Sequence, residues 1–163
     1  FGFVYVAVMM SFIYQIRELQ NGGEFVVLLF LAAWGNDTLA YCTGMLIGKH
    51  KMSPILSPKK SIEGLVGGIV GAAILGALYG LYLNTYIRFS FNPVTMFPIV
   101  CGLGGAVSVI GDLAASAIKR DSGIKDYGTL IPGHGGILDR FDSIIFIAPV
   151  IYYLTVMISG GAI

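Results

Sequence analysis

The chain has 163 residues, of which 56% are hydrophobic and only 12% are charged, and its mean hydropathy is +0.82. A typical soluble domain carries about 25% charged residues, which it needs to cover its surface. Ten Lys and Arg and nine Asp and Glu residues are too few to cover this much apolar area. The composition excludes an ordinary soluble globule, a disordered chain and a disulfide-stabilised secreted scaffold. It predicts an integral membrane protein.

Five apolar segments follow one another along the chain, and a membrane-spanning helix needs about 20 mostly apolar residues. They predict an all-α, polytopic transmembrane bundle of about five spans, at residues 1–16, 25–47, 62–84, 94–118 and 143–161. The first span is short or truncated, and residues 34–38 interrupt the second. Because the sequence opens with Phe1 inside an apolar run, we expect residues 1–163 to form a single transmembrane domain, the C-terminal part of a longer protein.

The basic residues are unevenly placed, although the formal net charge is only +1. Eight of the ten Lys and Arg residues lie in two windows, 49–60 and 119–140. Short loops rich in Lys and Arg stay on the cytoplasmic side of a membrane. Placing both basic connections in the cytoplasm leaves the charge-poor connections, 17–24 and 85–93, on the other side. The N-terminus is then inside and the C-terminus outside.

The small residues of the third segment predict close helix packing. Glycines recur four residues apart in three pairs: Gly64 and Gly68, Gly67 and Gly71, and Gly76 and Gly80. Such spacing lets helix backbones approach closely in lipid, either within one protomer or between two. We also expect a homodimer. The two cysteines, Cys42 and Cys101, lie in apolar runs without CxxC spacing and are expected to pack as small hydrophobic residues.

Two acidic residues fall inside apolar spans, where a charge is costly and is retained for a reason. Asp37, between Asn36 and Thr38, is either a structural polar residue or part of a functional site. Asp112 precedes Ser116 and Lys119 at helical spacing, so the three side chains share one helix face. That face leads from the membrane interior into the second basic connection.

The second basic connection, residues 120–142, combines five glycines with basic and acidic side chains. Glycines let backbone N–H groups approach a phosphate, and Lys or Arg neutralises its charge. Carboxylates beside a phosphate are favourable when a hard cation such as Mg²⁺ bridges the two. The combination indicates metal-dependent phosphoryl or nucleotidyl transfer, the alternative being a solvated glycine-rich loop. His134 is either a phosphate donor or a turn residue.

The first basic connection has two interpretations as well. It carries Lys49, Lys51, Lys59 and Lys60 around two Ser-Pro pairs. It is either a clamp over a polyanionic substrate or an anchor on anionic lipid headgroups.

One run of residues resembles the signature of the phosphatidate cytidylyltransferase (CDP-diacylglycerol synthase) family. It spans 27 positions and reads Ser116-Ala-Ile-Lys119-Arg120-x4-Lys125-Asp126-x-Gly128-x2-Ile131-Pro132-Gly133-His134-Gly135-Gly136-x2-Asp139-Arg140-x-Asp142. Two other segments resemble family segments, Ser57-Pro58-Lys59-Lys60-Ser61-x-Glu63-Gly64 and Trp34-x2-Asp37-x3-Tyr41.

The resemblance implies that CTP and phosphatidic acid react to give CDP-diacylglycerol and pyrophosphate, and it adds support for a homodimer. It implies Mg²⁺, with room for a second cation, held by Asp112 and Asp139 and more weakly by Asp142 and Asp37. Lys119, Arg120 and His134 join these two acids as expected catalytic residues. The expected substrate-binding residues are Lys59, Lys60, Ser116, Lys125, Gly133, Gly135, Gly136 and Arg140. No nucleic-acid partner is expected.

Two other functions remain open at this point. A CTP-dependent polyprenol or dolichol kinase would release CDP instead of pyrophosphate. A transporter or channel would use Asp37 and Asp112 along an ion path, but it would distribute acids through the membrane depth. We expect the site to face the cytoplasm from a bacterial inner membrane.

Overall fold

The computed structural model describes residues 3–53, 57–124, 127–128, 136 and 138–160. Within these ranges it leaves out the side chains of Phe3, Ser53, Ser57, Pro58, Lys59 and Arg140. The predictions made for Lys125, Gly133, His134 and Gly135 lie outside the described residues, as do those for the side chains of Lys59 and Arg140.

The chain is a helical bundle with one small hairpin. A π-helical segment, Phe3–Val8, leads into α1 (Met9–Glu18), and α2 (Gly22–Phe30) continues through a π-helical segment, Leu31–Gly35, into α3 (Asn36–Ile47). The antiparallel strands β1 (Lys51–Ser53) and β2 (Ser57–Ser61) form the hairpin. The remaining helices are α4 (Ile62–Asn84), α5 (Pro93–Asp121) and α6 (Leu138–Ile158).

Four helical stretches in the described part of the chain are long and apolar enough to cross a membrane, at 22–47, 62–84, 93–121 and 141–158. The predicted all-α polytopic membrane fold is therefore confirmed. The first predicted span, 1–16, corresponds to the helical residues Phe3–Glu18. The predicted interruption at 34–38 leaves the backbone helical, because the π-helical segment Leu31–Gly35 runs directly into α3.

Local sequence determines where the two longest helices begin. The hydroxyl of Ser61 accepts a hydrogen bond from the backbone N–H of Gly64 at 3.1 Å and caps α4. The Asn92 side chain caps α5 by accepting from the N–H of Val94 at 3.0 Å, and Pro93 occupies the first turn, where its missing N–H costs nothing.

The glycine face of α4 packs inside the protomer. A Cβ on Gly76 would lie 2.6 Å from the carbonyl oxygen of Phe97 in α5, and a Cβ on Gly68 would lie 2.7 Å from Oδ1 of Asn36 in α3. Side chains at these positions would hold the three helices apart. The opposite face of α4 exposes apolar residues at every turn: Ile62, Val66, Val70, Ile74, Leu78 and Leu81. The glycine pattern is thus used within one chain, and it no longer supports the homodimer, which stays a prediction.

The two kinds of connection lie at opposite ends of the bundle, as the charge pattern predicted. At one end, Phe25 packs on Phe89 and Phe91 of the α4–α5 connection, with ring centroids 6.2 and 6.5 Å apart. At the other end, the hairpin and the start of α6 line a common cavity. The two basic connections therefore share one end.

The close α4–α5 contact can be tested with a pair of Gly→Ala substitutions. In Gly76→Ala the added methyl meets the backbone of Phe97, so the helices must separate, and we expect a loss of about 1–3 kcal/mol in stability. Thermal unfolding of the full-length protein in detergent, followed by circular dichroism, would measure it.

Gly102→Ala in α5 is the matched control, because its Cβ would lie 3.6 Å from the Cβ of Ala73, an ordinary contact. An equal fall in melting temperature for both variants would contradict the packing described here.

Candidate active site

A cavity of about 660 Å³ lies at the end of the bundle that carries the hairpin. Residues of α3, the hairpin, α4, α5 and α6 line it. Its lining is partly apolar and partly charged: Asn36, Asp37, Ala40, Tyr41, Gly44, Met45, Lys51, Met52, Lys60, Ser61, Gly64, Leu65, Val109, Asp112, Ser116, Asp139 and Asp142. The cavity has room for a phosphorylated small molecule or the head of a lipid.

All four acids named as candidate metal ligands line this cavity. Asp37 comes from α3, Asp112 from α5, and Asp139 and Asp142 from the first turns of α6. Carboxylate oxygens are the donors that Mg²⁺ and other hard cations prefer, so the donor set fits such an ion. No three acidic, His or Cys side chains in the described ranges are close enough together to enclose a metal.

Lys60 joins the hairpin to α5. Its Nζ lies 2.6 Å from Oδ2 of Asp112, and the side chains of the two residues are 33% and 15% exposed. This ion pair joins residues 52 positions apart in the sequence, and both residues line the cavity. Lys60, which was predicted to bind phosphate, thus contacts the carboxylate of Asp112, which was predicted to bind the metal ion.

Lys119 and Asp139 form a second, more deeply buried pair. The Lys119 Nζ lies 2.8 Å from Oδ1 of Asp139 and 3.8 Å from Oδ2 of Asp142. The other oxygen of Asp139 accepts from the backbone N–H groups of Tyr127 at 2.8 Å and Gly136 at 2.9 Å. The Gly136 N–H, predicted to help cradle a phosphate, therefore donates to a carboxylate here.

These contacts change the acidity of Asp139. Burial alone raises its pKa, but the hydrogen bonds from Lys119, Gly136 and Tyr127 and the charge of Lys119 together outweigh burial. The pKa of Asp139 thus lies below its ordinary range, and the carboxylate is ionised at neutral pH.

Ser116 and Arg120, two further predicted site residues, differ in whether they line the cavity. Ser116 lines the cavity beside Asp112, as their spacing on one helix face predicted. Arg120 is exposed, and its guanidinium donates to the carbonyl oxygen of Ile124 at 3.3 Å instead of lining the cavity.

Several lining residues were not among the predicted site residues, although Lys51 and Tyr41 lie in segments that the sequence analysis singled out. Asn36 is fully buried, with its Oδ1 close to Gly68 and Gly105, and its Nδ2 lies 3.5 Å from the Oδ1 of Asp37. Lys51 enters from the hairpin, where it pairs with Ser61 across the two strands. Tyr41 lies one helical turn after Asp37, a spacing that could have identified it.

The charges of the site suit a cation together with phosphate groups. Four carboxylates and the ammonium groups of Lys51 and Lys60 line the cavity, and the ammonium of Lys119 contacts the Asp139 carboxylate. Carboxylates can hold a divalent cation, while lysines neutralise phosphate oxygens. The arrangement can bring a phosphate and a metal-bound polyphosphate together at one end of a membrane bundle.

Comparison with known proteins gives a consistent result. Residues 1–158 match the model of the cytidylyltransferase family. The chain is 37% identical over 154 residues to a protein of Staphylococcus saprophyticus named phosphatidate cytidylyltransferase, covering 94% of this chain and 56% of that protein. A Staphylococcus aureus protein of the same name is 39% identical over 152 residues, covering 93% and 56% of the two chains. The chain thus spans about half the length of the curated relatives it matches.

The pKa of Asp139 can be tested by removing the charge of Lys119. In Lys119→Met the ammonium is lost while burial remains, so we expect the pKa of Asp139 to rise above its value in the unsubstituted protein. Carbon-13 NMR of the aspartate carboxyl groups would measure it, with the signal assigned from Asp139→Asn.

The lowered pKa of Asp139 also makes the stability of the fold depend on pH. Because the folded pKa is lower than the unfolded value of about 3.9, ionised Asp139 stabilises the fold above that value, and this contribution disappears as the pH falls through the folded pKa. The loss of stability on acidification should therefore be smaller in Lys119→Met. It should persist in Lys119→Arg, which keeps the positive charge. Equal pKa values in all three proteins would exclude Lys119 as the cause.

Proposed function

Because the chain belongs to the cytidylyltransferase family, we propose that the full-length protein converts CTP and phosphatidic acid into CDP-diacylglycerol and pyrophosphate. One observation carries the proposal: four carboxylates and two lysines from distant parts of the sequence line one cavity at an end of a membrane bundle, and a third lysine, Lys119, forms an ion pair with one of these carboxylates. The relatives named phosphatidate cytidylyltransferase support this choice of reaction.

The reaction is a displacement at phosphorus. A phosphate oxygen of phosphatidic acid attacks the α-phosphorus of CTP, a new P–O bond forms, and the bond to the bridging oxygen breaks so that pyrophosphate leaves. A phosphate monoester is already ionised and nucleophilic at neutral pH, so the protein need not supply a strong base. Its tasks are to position the two phosphates and to neutralise the charge between them.

The residues of the cavity divide these tasks. Asp112 and Asp139 would hold Mg²⁺, with Asp142 and Asp37 as further oxygen donors at the same cavity. When bound, the ion neutralises phosphate charge and favours departure of pyrophosphate. Lys60 and Lys119 would reduce the repulsion between the two substrates, and the Ser116 hydroxyl can donate to a phosphate oxygen.

The position of the cavity suits one soluble and one lipid substrate. The four apolar helices are long enough to cross the bilayer, and the cavity lies at the end of the bundle that carries the basic hairpin. The positive-inside rule assigns this end to the cytoplasm, here that of a bacterial inner membrane, where CTP is available. Homodimer assembly is also a proposal, supported by the family resemblance alone.

A product assay tests the reaction. Full-length protein would be incubated with labelled CTP, phosphatidic acid and Mg²⁺, and lipid-bound cytidine and pyrophosphate would be measured together. We expect equal amounts of both, and in Asp112→Asn and Asp139→Asn a loss of about 100-fold or more, the scale on which removal of one charge-stabilising group acts.

Asp121→Asn is the control for charge, because Asp121 is exposed at the end of α5 and does not line the cavity. It should retain activity. Release of CDP in place of pyrophosphate would replace the proposal with a lipid kinase, and a folded protein without turnover would refute it.

Cysteine accessibility tests the orientation. In a protein whose Cys42 and Cys101 are replaced, single cysteines at the exposed positions of Lys49 and Arg88 mark opposite ends of the bundle. In intact cells a membrane-impermeant maleimide should label the position of Arg88 and spare that of Lys49 until the cells are opened. The reverse pattern would place the cavity outside the cytoplasm.

A further inference from the structure

The ion pair between Lys60 and Asp112 occupies a carboxylate that the proposed function needs for a metal ion. The Lys60 Nζ lies 2.6 Å from the Asp112 Oδ2, and both residues line the cavity. Mg²⁺ binds carboxylate oxygens at about 2.0–2.1 Å and requires a nearly regular octahedron of ligands. An ammonium in contact with the same carboxylate would repel the ion and block one side of its coordination sphere.

The two lysine–aspartate pairs of the site differ in how firmly they are held. Lys119 is 12% exposed, and its partner Asp139 also accepts two backbone N–H groups, so that pair is fixed from several directions. Lys60 is 33% exposed, and it provides the one ion pair to Asp112 that the described residues contain. Of the two ammonium groups, that of Lys60 can leave its carboxylate more easily.

The backbone next to Lys60 can stay in place while its side chain moves. Ser61, the next residue, is buried and caps α4, and the Glu63 carboxylate accepts from the backbone N–H of His50 at 3.2 Å on the other side of the hairpin. Rotation about the four-carbon stem alone would carry the ammonium from Asp112 into the cavity. No helix has to shift.

We propose that Lys60 is an exchangeable counterion of Asp112. It neutralises this carboxylate while the cavity is empty, leaves it when a divalent cation binds, and then contacts a phosphate of the substrate. Metal binding and phosphate binding are thereby coupled through one side chain. This inference rests on the proposed function, since it takes Asp112 as a metal ligand.

The test measures the affinities of the protein for Mn²⁺ and for pyrophosphate, which Lys60→Met should change in opposite directions. Mn²⁺ serves as the probe, and its binding to the full-length, nucleotide-free protein is measured by electron paramagnetic resonance at low ionic strength. In Lys60→Met the competing ammonium is gone, so Mn²⁺ should bind about tenfold more tightly, as expected for a close charge pair. Inorganic pyrophosphate, titrated calorimetrically at saturating Mn²⁺, should bind about tenfold more weakly.

Lys51→Met is the matched control, because Lys51 lines the same cavity from the same hairpin without an ion pair to Asp112. Its effect on Mn²⁺ affinity should be clearly smaller. A loss of structure in Lys60→Met would weaken the binding of Mn²⁺ and of pyrophosphate together. Unchanged or weaker Mn²⁺ binding by a folded Lys60→Met protein would overturn the proposed exchange.

Asp112→Asn separates this inference from the proposed function. If Asp112→Asn loses Mn²⁺ and Lys60→Met fails to gain affinity, the exchange alone is wrong. If Asp112→Asn binds Mn²⁺ as tightly as the unsubstituted protein, Asp112 is not a metal ligand, and both the exchange and the proposed metal site fail.

Discussion

An ionised carboxylate among apolar helices is costly unless a counter-charge or hydrogen-bond donors reach it. This constraint explains why Lys60 of the hairpin and the backbone N–H groups of Tyr127 and Gly136 lie against carboxylates of the bundle. Asp112 is reached by Lys60 from the hairpin, and Asp139 by Lys119 and the backbone of the α5–α6 connection. The acids thus hold the hairpin and the described residues of the α5–α6 connection against the helices that line the cavity.

Close helix packing sets the positions from which these acids project. Asn36 inserts its side chain between Gly68 of α4 and Gly105 of α5, which lack the Cβ atoms that would exclude it. Asp37, the next residue, is thereby held on the cavity wall. A membrane bundle gains little from hydrophobic burial between its helices, so such close contacts carry much of its stability. The same glycines that join the helices also align the carboxylates.

Sequence periodicity predicted the helices and their faces, but not the contacts between them. The third span was predicted at 62–84 and is Ile62–Asn84, because apolar composition and the Ser61 cap define it locally. The shared face of Asp112 and Ser116 follows from helical spacing in the same way. The Lys60–Asp112 pair does not, because residues 52 positions apart meet only through the packing of α4 on α5. The hairpin was missed for a related reason, since its two short strands pair without an apolar alternation.

An aromatic cluster packs at the end of the bundle opposite the cavity. Phe25 and Phe97 are almost completely buried there, and Phe89 and Phe91 pack against them. The acids and lysines of the candidate site gather at one end of the molecule, whereas rings and aliphatic side chains pack together towards the other. An ion gains no counter-charge by moving from the cavity among these aromatic and aliphatic side chains. A charged ligand is therefore held at the end of the bundle where its counter-charges lie.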